Sequence, residues 1–243
     1  MDPTLVVLFY GTLAAFAAAF GLIPVALRPQ LPMAWIGWSN ALASGLMLGV
    51  AYSLMATGLE RAALWGGLGA LGGIGFVHLT HALTGTADMD LNRLEETGPE
   101  YGYRVITVNS FHAAHEGVAI GVAMSMSLPF GIVTALALAV HNIPEAAILG
   151  AIVTKRGVSL FNAAILAVAT NGLQVLLAVV TFAVVGAAPV LLPWALGFAV
   201  GSLVYLVMVE LLPESYREAG HTSIALVTIV AMGIVVVMTG RAL

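Results

Sequence analysis

Apolar residues in this chain come in long unbroken runs, with neither the alternation of a half-buried strand nor the narrow stripe of a soluble amphipathic helix. Each run ends at a charge, a proline or a glycine cluster before the next begins. Read in this way, the spans cover 4–27, 34–58, 62–85, 104–127, 129–153, 158–186, 190–213 and 222–240. A helix needs about 20 apolar residues to cross the hydrocarbon core of a bilayer. The pattern therefore predicts an all-α integral membrane protein with eight transmembrane helices in one domain, residues 1–243. The connectors are short except for "TADMDLNRLEETGPEYGY", residues 86–103, an acidic stretch that separates the first three spans from the rest. The first run, Thr4 to Leu27, has only Asp2 as a nearby charge and is too long for a signal-peptide core. It reads as a retained span.

Composition agrees with the pattern. Hydrophobic residues make up 60% of the chain and charged residues 8%, against roughly 45–50% apolar content in soluble domains. The net charge is −4 and the basic residues stand at the ends of apolar runs, so there is no basic patch and no nucleic-acid partner is expected. Without cysteine there is no disulfide and no thiolate ligand, which leaves histidine, carboxylate or methionine for any metal chemistry. Arg28, Arg93, Arg104, Lys155, Arg156 and Arg217 fall on one side of the membrane, with Arg61 and Arg241 on the other. The positive-inside rule then places both termini outside and the 86–103 connector in the cytoplasm. The stretches "ALWGGLGALGGIGF", residues 63–76, and "LGFAVGSLVY", residues 196–205, are rich in small residues and read as close helix-packing surfaces.

Two of the apolar runs carry ionisable groups. "HAAHEGVAIG" begins at His112 and "HNIPEAAILG" at His141, and both follow the form H-x-x-x-E-x-x-x-x-G, ending at Gly121 and Gly150. The i, i+4 spacing sets His112 above Glu116, and His141 above Glu145, on one helix face. A carboxylate at the centre of a spanning helix costs about 2.5–3.5 kcal/mol even on the lenient insertion scale, and these spans offer no nearby Lys or Arg. A divalent cation is one source of compensation, and protons are the other. The four side chains make a two-nitrogen, two-oxygen set that suits Zn²⁺ and also accepts Fe²⁺, Mn²⁺ or Cd²⁺. His115 shares the face as a fifth ligand or an outer partner. Pro144 removes the donor for the Val140 carbonyl, as an ordinary kink or as a point where an ion or water is held.

"HNIPEAAILG" resembles the HNxPEG signature of the ZIP (Zrt/Irt-like) divalent-metal transporters, and "FHAAHEGVAIG" resembles its partner on the preceding span. "LGFAVGSLVYLVMVELLPES" is similar to the family's seventh helix, so the resemblance covers essentially the whole chain. It implies a ZIP-like bundle of bacterial type with His112, Glu116, His141 and Glu145 as a primary metal site between the fourth and fifth spans. The chain departs from the family at Ala113, at Asn142, at Val175 and at His115, where relatives usually have proline. These changes imply one held ion instead of a bridged pair, with Asn142 and Gln174 as accessory ligands. Glu210 is a loading or release ligand in this reading. Glu214 and Glu218 are solvated, and His78 and His81 are interfacial, outside the core site. The connector lacks histidine, so it gives no support to loop-based metal sensing.

The resemblance further implies a homodimer in the lipid bilayer of a bacterial inner membrane. In each subunit the first, fourth, fifth and sixth spans move against the second, third, seventh and eighth. The metal is then a substrate carried into the cytoplasm by alternating access, no cofactor is needed, and the chain is no enzyme. A membrane-embedded metal-dependent hydrolase is one alternative, although "HEGVA" at His115 lacks the second histidine of H-E-x-x-H. A proton-coupled carrier of a small solute is the other, and it leaves the matched histidines without a task.

Overall fold

A computed structural model describes residues 2–28, 31–58, 62–85 and 99–242. Arg61, Arg93 and residues 86–98 of the connector lie outside the described residues. The described chain is helical, in eight long segments: α1 (Pro3–Leu27), α2 (Met33–Gly58), α3 (Ala63–Thr84), α4 (Pro99–Met126), α5 (Leu128–Lys155), α6 (Leu160–Ala187), α7 (Pro189–Glu218) and α8 (His221–Gly240). All except α4 are long and apolar enough to cross a membrane, and α4 is the helix that carries His112, His115 and Glu116. It starts at Pro99, ahead of the apolar run at 104, because a proline in the first turn lacks only a hydrogen bond that no first-turn residue makes. The end of an apolar run is not the end of a helix.

Glycine decides which helices touch. Along α3, Gly69 and Gly73 lie against the Trp194 and Phe198 carbonyls of α7, while Gly197 and Gly201 of α7 lie against the Gly66 and Ala70 carbonyls, and a Cβ on any of these four glycines would strike backbone of the opposite helix. Lipid gives helices no hydrophobic reason to associate, so close backbone approach and the dispersion contacts it allows take over. The stacked rings of Trp65 and Trp194, with centroids 5.2 Å apart, close one end of this seam. Gly45 and Gly49 bring α2 against α8. There Thr228 donates to the Ala41 carbonyl at 3.2 Å, and the Ser53 and Thr239 hydroxyls lie 2.7 Å apart. With α2 also packed on α7, these four helices form one set.

The remaining helices form the other set. Gly21 of α1 lies against the Ile143 carbonyl of α5, and Gly117 and Gly121 of α4 lie against the Gln174 and Ala178 carbonyls of α6. Three of the eight segments are locally irregular. α1 tightens to a 3₁₀ turn at Ala18–Gly21, α6 breaks at Asn171, and α7 widens to a π-turn at Val207–Leu211.

The two sets meet differently in the two halves of the bundle. In one half Met47, Leu54, Ile120, Phe130, Leu138, Leu196 and Leu203 form a continuous buried apolar cluster. The other half holds a cavity of about 680 Å³ that reaches from His112 and His141 to the level of Ala82, Val105, Ile152 and Arg217. Those last residues mark the end of the bundle where α3 finishes and α4 begins.

Candidate metal centre

His112 and Glu116 lie near the middle of the 28-residue α4, and His141 and Glu145 near the middle of the 28-residue α5. The matched sequence motifs thus become matched heights in the bundle. α5 continues through Pro144 as one helix. The structure nevertheless divides the four residues between two groups.

The first group is Glu116, His141 and Glu145. His141 Nε2 lies 3.0 Å from Glu116 Oε1 and 3.7 Å from Glu145 Oε2. The second group is His81, His112 and Glu210, contributed by α3, α4 and α7. His81 Nε2 lies 3.1 Å from Glu210 Oε2, and His112 Nε2 lies 3.3 Å from His81 Nε2 and 3.7 Å from Glu210 Oε2. Within each group one ligand atom per residue falls within 4.8 Å of the others, close enough for one cation to touch all three. The first group belongs wholly to the α1, α4, α5, α6 set. The second joins the sets, with His112 reaching across to α3 and α7.

Backbone irregularity aims Glu210. Pro213 cannot donate to the Val209 carbonyl, and the preceding residues Val207–Leu211 take the π form. A π-turn inserts extra width into a helix and occurs mostly at functional positions. Here it presents Glu210 to the two histidines.

Asn142 and Gln174, the accessory ligands implied by the resemblance, are hydrogen-bonded next to the first group. Gln174 Nε2 donates to Glu116 Oε2 at 3.1 Å, and Gln174 Oε1 accepts from Asn142 Nδ2 at 3.0 Å. Both side chains are fully buried. The Gln174 amide is thus engaged with protein at both ends, whereas Asn142 is engaged through Nδ2 and its Oδ1 is buried without a hydrogen-bond partner among the described residues. His115 belongs to neither group. It is fully buried, its ring lies 6.5 Å from Phe76 and 6.0 Å from His112, and neither ring nitrogen has a hydrogen-bond partner among the described residues.

Two expectations change. His81 is 8% exposed and faces the cavity, so it is an inside residue and not an interfacial one; only His78, within 3.4 Å of the Tyr205 hydroxyl, remains in an exposed setting. The missed signal was helical phase, because the seam residues Gly66, Gly69 and Gly73 continue at the same spacing through Val77 to Thr80 and His81. Glu214 is likewise largely buried and accepts from Asn40 Nδ2 at 2.9 Å, where solvation was expected. It lines the cavity below Glu210.

Comparison with known proteins supplies the family. The ZIP zinc transporter family model matches residues 93–240. A protein of Arabidopsis thaliana, named provisionally as a zinc transporter, is 33% identical over 220 residues. That alignment takes in 87% of this chain but 35% of the plant protein, so the chain spans about a third of the relative's length. With the family model covering more than half of its residues, including α4 and α5 with both motifs, this chain belongs to the ZIP zinc transporter family.

Proposed function

We propose that the chain carries divalent transition-metal cations across a membrane, Zn²⁺ foremost and Fe²⁺, Mn²⁺ or Cd²⁺ as further substrates, and that it is a transporter and no enzyme. The observation that carries this reading is the pair of buried three-residue ligand groups on one cavity, joined by His112 and Glu116 one turn apart on α4. Glu116 and Glu145 bring two negative charges, which one divalent ion balances. His141 adds a nitrogen ligand, and His112 completes the set when it turns from His81 toward Glu116. In the present arrangement His112 lies with His81 and Glu210, which serve as a release station toward the Arg217 end.

In this reading all eight segments cross the bilayer, both termini lie outside, and the connector at 86–103 is cytoplasmic. The cavity then opens inward, and the apolar half of the bundle closes the outer side. Alternation follows when α1, α4, α5 and α6 slide or rock against α2, α3, α7 and α8, in a homodimer of a bacterial inner membrane. The plant relative's name supports zinc as a substrate. Because the second ligand group is shared between the two sets, it loosens with each excursion, and one ion per chain is held tightly. Elemental analysis of purified protein is expected to find close to one; two would reject the single-ion form.

Uptake into proteoliposomes tests the proposal itself. Wild-type protein is expected to give saturable, protein-dependent Zn²⁺ or Cd²⁺ influx, and a His112→Ala/Glu145→Ala variant that remains folded is expected to give none above empty vesicles. Equal influx by the two proteins rejects the reading.

A further inference from the structure

We propose that Gln174, steadied by Asn142, restricts Glu116 to a single metal-facing oxygen and thereby sets which cation the site prefers. This deepens the transport reading and rests on it. In α1 the chain tightens at Ala18. The Ala18 N–H turns to the carbonyl of Ala15, three residues back, and the Ala14 carbonyl accepts from Asn142 Nδ2 at 2.9 Å. The same nitrogen donates to Gln174 Oε1, and Gln174 Nε2 donates to Glu116 Oε2.

The direction of this chain is fixed from both ends. A carbonyl and a carboxylate can only accept, so each amide must point its nitrogen the way it does. Turning either amide over would set oxygen against oxygen in a site with no exposure. Gly117 makes the contact possible, since any side chain there would strike the Gln174 carbonyl and hold α6 away from α4. Four helices, α1, α4, α5 and α6, are tied to one carboxylate oxygen.

For the metal the consequence is a count of ligands. Glu116 Oε2 accepts from the Gln174 amide, and Oε1 is the oxygen turned toward His141, the side from which an ion would be held. A four-coordinate, nitrogen-accepting ion such as Zn²⁺ loses little by this. Mn²⁺ favours carboxylate and water oxygens in six-fold sets, and for it the missing second oxygen matters. Both amides hydrogen-bond without adding charge, so the two carboxylates and one divalent ion remain balanced. Gln174 is a positioning residue: it acts on the ion through Glu116.

The test uses the full chain in proteoliposomes, with initial uptake of Zn²⁺ and Mn²⁺ measured singly and in competition. Gln174→Met keeps the volume and removes the donor. Its Zn²⁺ KM is expected to rise about tenfold with Vmax changed less than about twofold, and its preference for Zn²⁺ over Mn²⁺ to fall about tenfold, within the range for lost outer-shell partners of metal ligands. Asn142→Leu is expected to shift the preference in the same direction by less, and it carries the test alone if Gln174→Met does not fold. The double variant is expected to match Gln174→Met, because Asn142 works only through Gln174. An unchanged preference, or an equal loss for both metals, overturns the positioning role while leaving transport in place. Absence of uptake of either metal by the wild type overturns the transport reading, and this inference with it.

Discussion

Glu116→Ala is expected to abolish saturable metal uptake and to lower metal affinity by more than about 100-fold, since losing an outer partner of a ligand already costs 10–100-fold. Glu116 is fully buried and both of its oxygens are placed, Oε1 at 3.0 Å from His141 and Oε2 at 3.1 Å from Gln174. Its removal leaves one carboxylate and one imidazole in the first group, too few to replace the hydration shell of a divalent ion. It also orphans the Gln174 amide in a dry site, at a cost of about 1–3 kcal/mol. Glu116→Asp keeps the charge but withdraws it by one methylene, and is expected to retain weak binding with slow uptake. Isothermal titration with Zn²⁺ beside proteoliposome flux separates these outcomes. Wild-type affinity in the alanine variant would remove Glu116 from the site.

The second large effect concerns folding. Gly197→Val is expected to prevent recovery of monodisperse protein, because a Cβ at this position collides with the carbonyl of Gly66. Overpacking a core ordinarily costs about 1–3 kcal/mol, and much of that is recovered by moving side chains. Here the obstacle is backbone, so relief requires α3 and α7 to separate along the whole seam. Gly75→Ala on α3 is the matched control, since nothing lies within 4 Å of a Cβ there. It is expected to be neutral or to stabilise by up to about 1 kcal/mol through helix propensity. Detergent size-exclusion profiles and thermal melts of the two variants make the comparison, and equal behaviour would show that the seam does not hold the bundle together.

The helical bundle was readable because hydrophobic run length is a one-dimensional quantity. The repeated histidine and glutamate motifs were equally readable, since i, i+4 spacing puts His112 with Glu116 and His141 with Glu145 whatever surrounds them. Which motif residue joins which partner was not, because it depends on the rotation of α3 and α7 about their own axes. His81 and Glu210 come from segments 129 positions apart in the chain, and the π-turn that orients Glu210 lies just before Pro213, which offers no donor to the Val209 carbonyl. Asn142 and Gln174 illustrate a different limit. Motif position marked them as polar groups close to the candidate ligands, but only the placement of Ala14 and Gly117 shows that the Gln174 amide and Asn142 Nδ2 are engaged by protein.

The apolar half of the bundle has an electrical consequence. A divalent ion crossing a membrane potential exchanges about 2.3 kcal/mol for each elementary charge per 100 mV, so a continuous wet path through the protein would short-circuit the cell's ion gradients. Packed side chains such as Phe130, Leu138 and Leu203 conduct neither ions nor protons, while the water-accessible cavity carries little of the voltage drop. With the bundle spanning a bilayer as proposed, the field would be concentrated across the apolar layer on one side of the ligand groups. In the proposed transport cycle, voltage would do its work on the ion when that layer moves past it, so that the rearrangement of helices, and not exit through the cavity, is the step expected to respond to membrane potential.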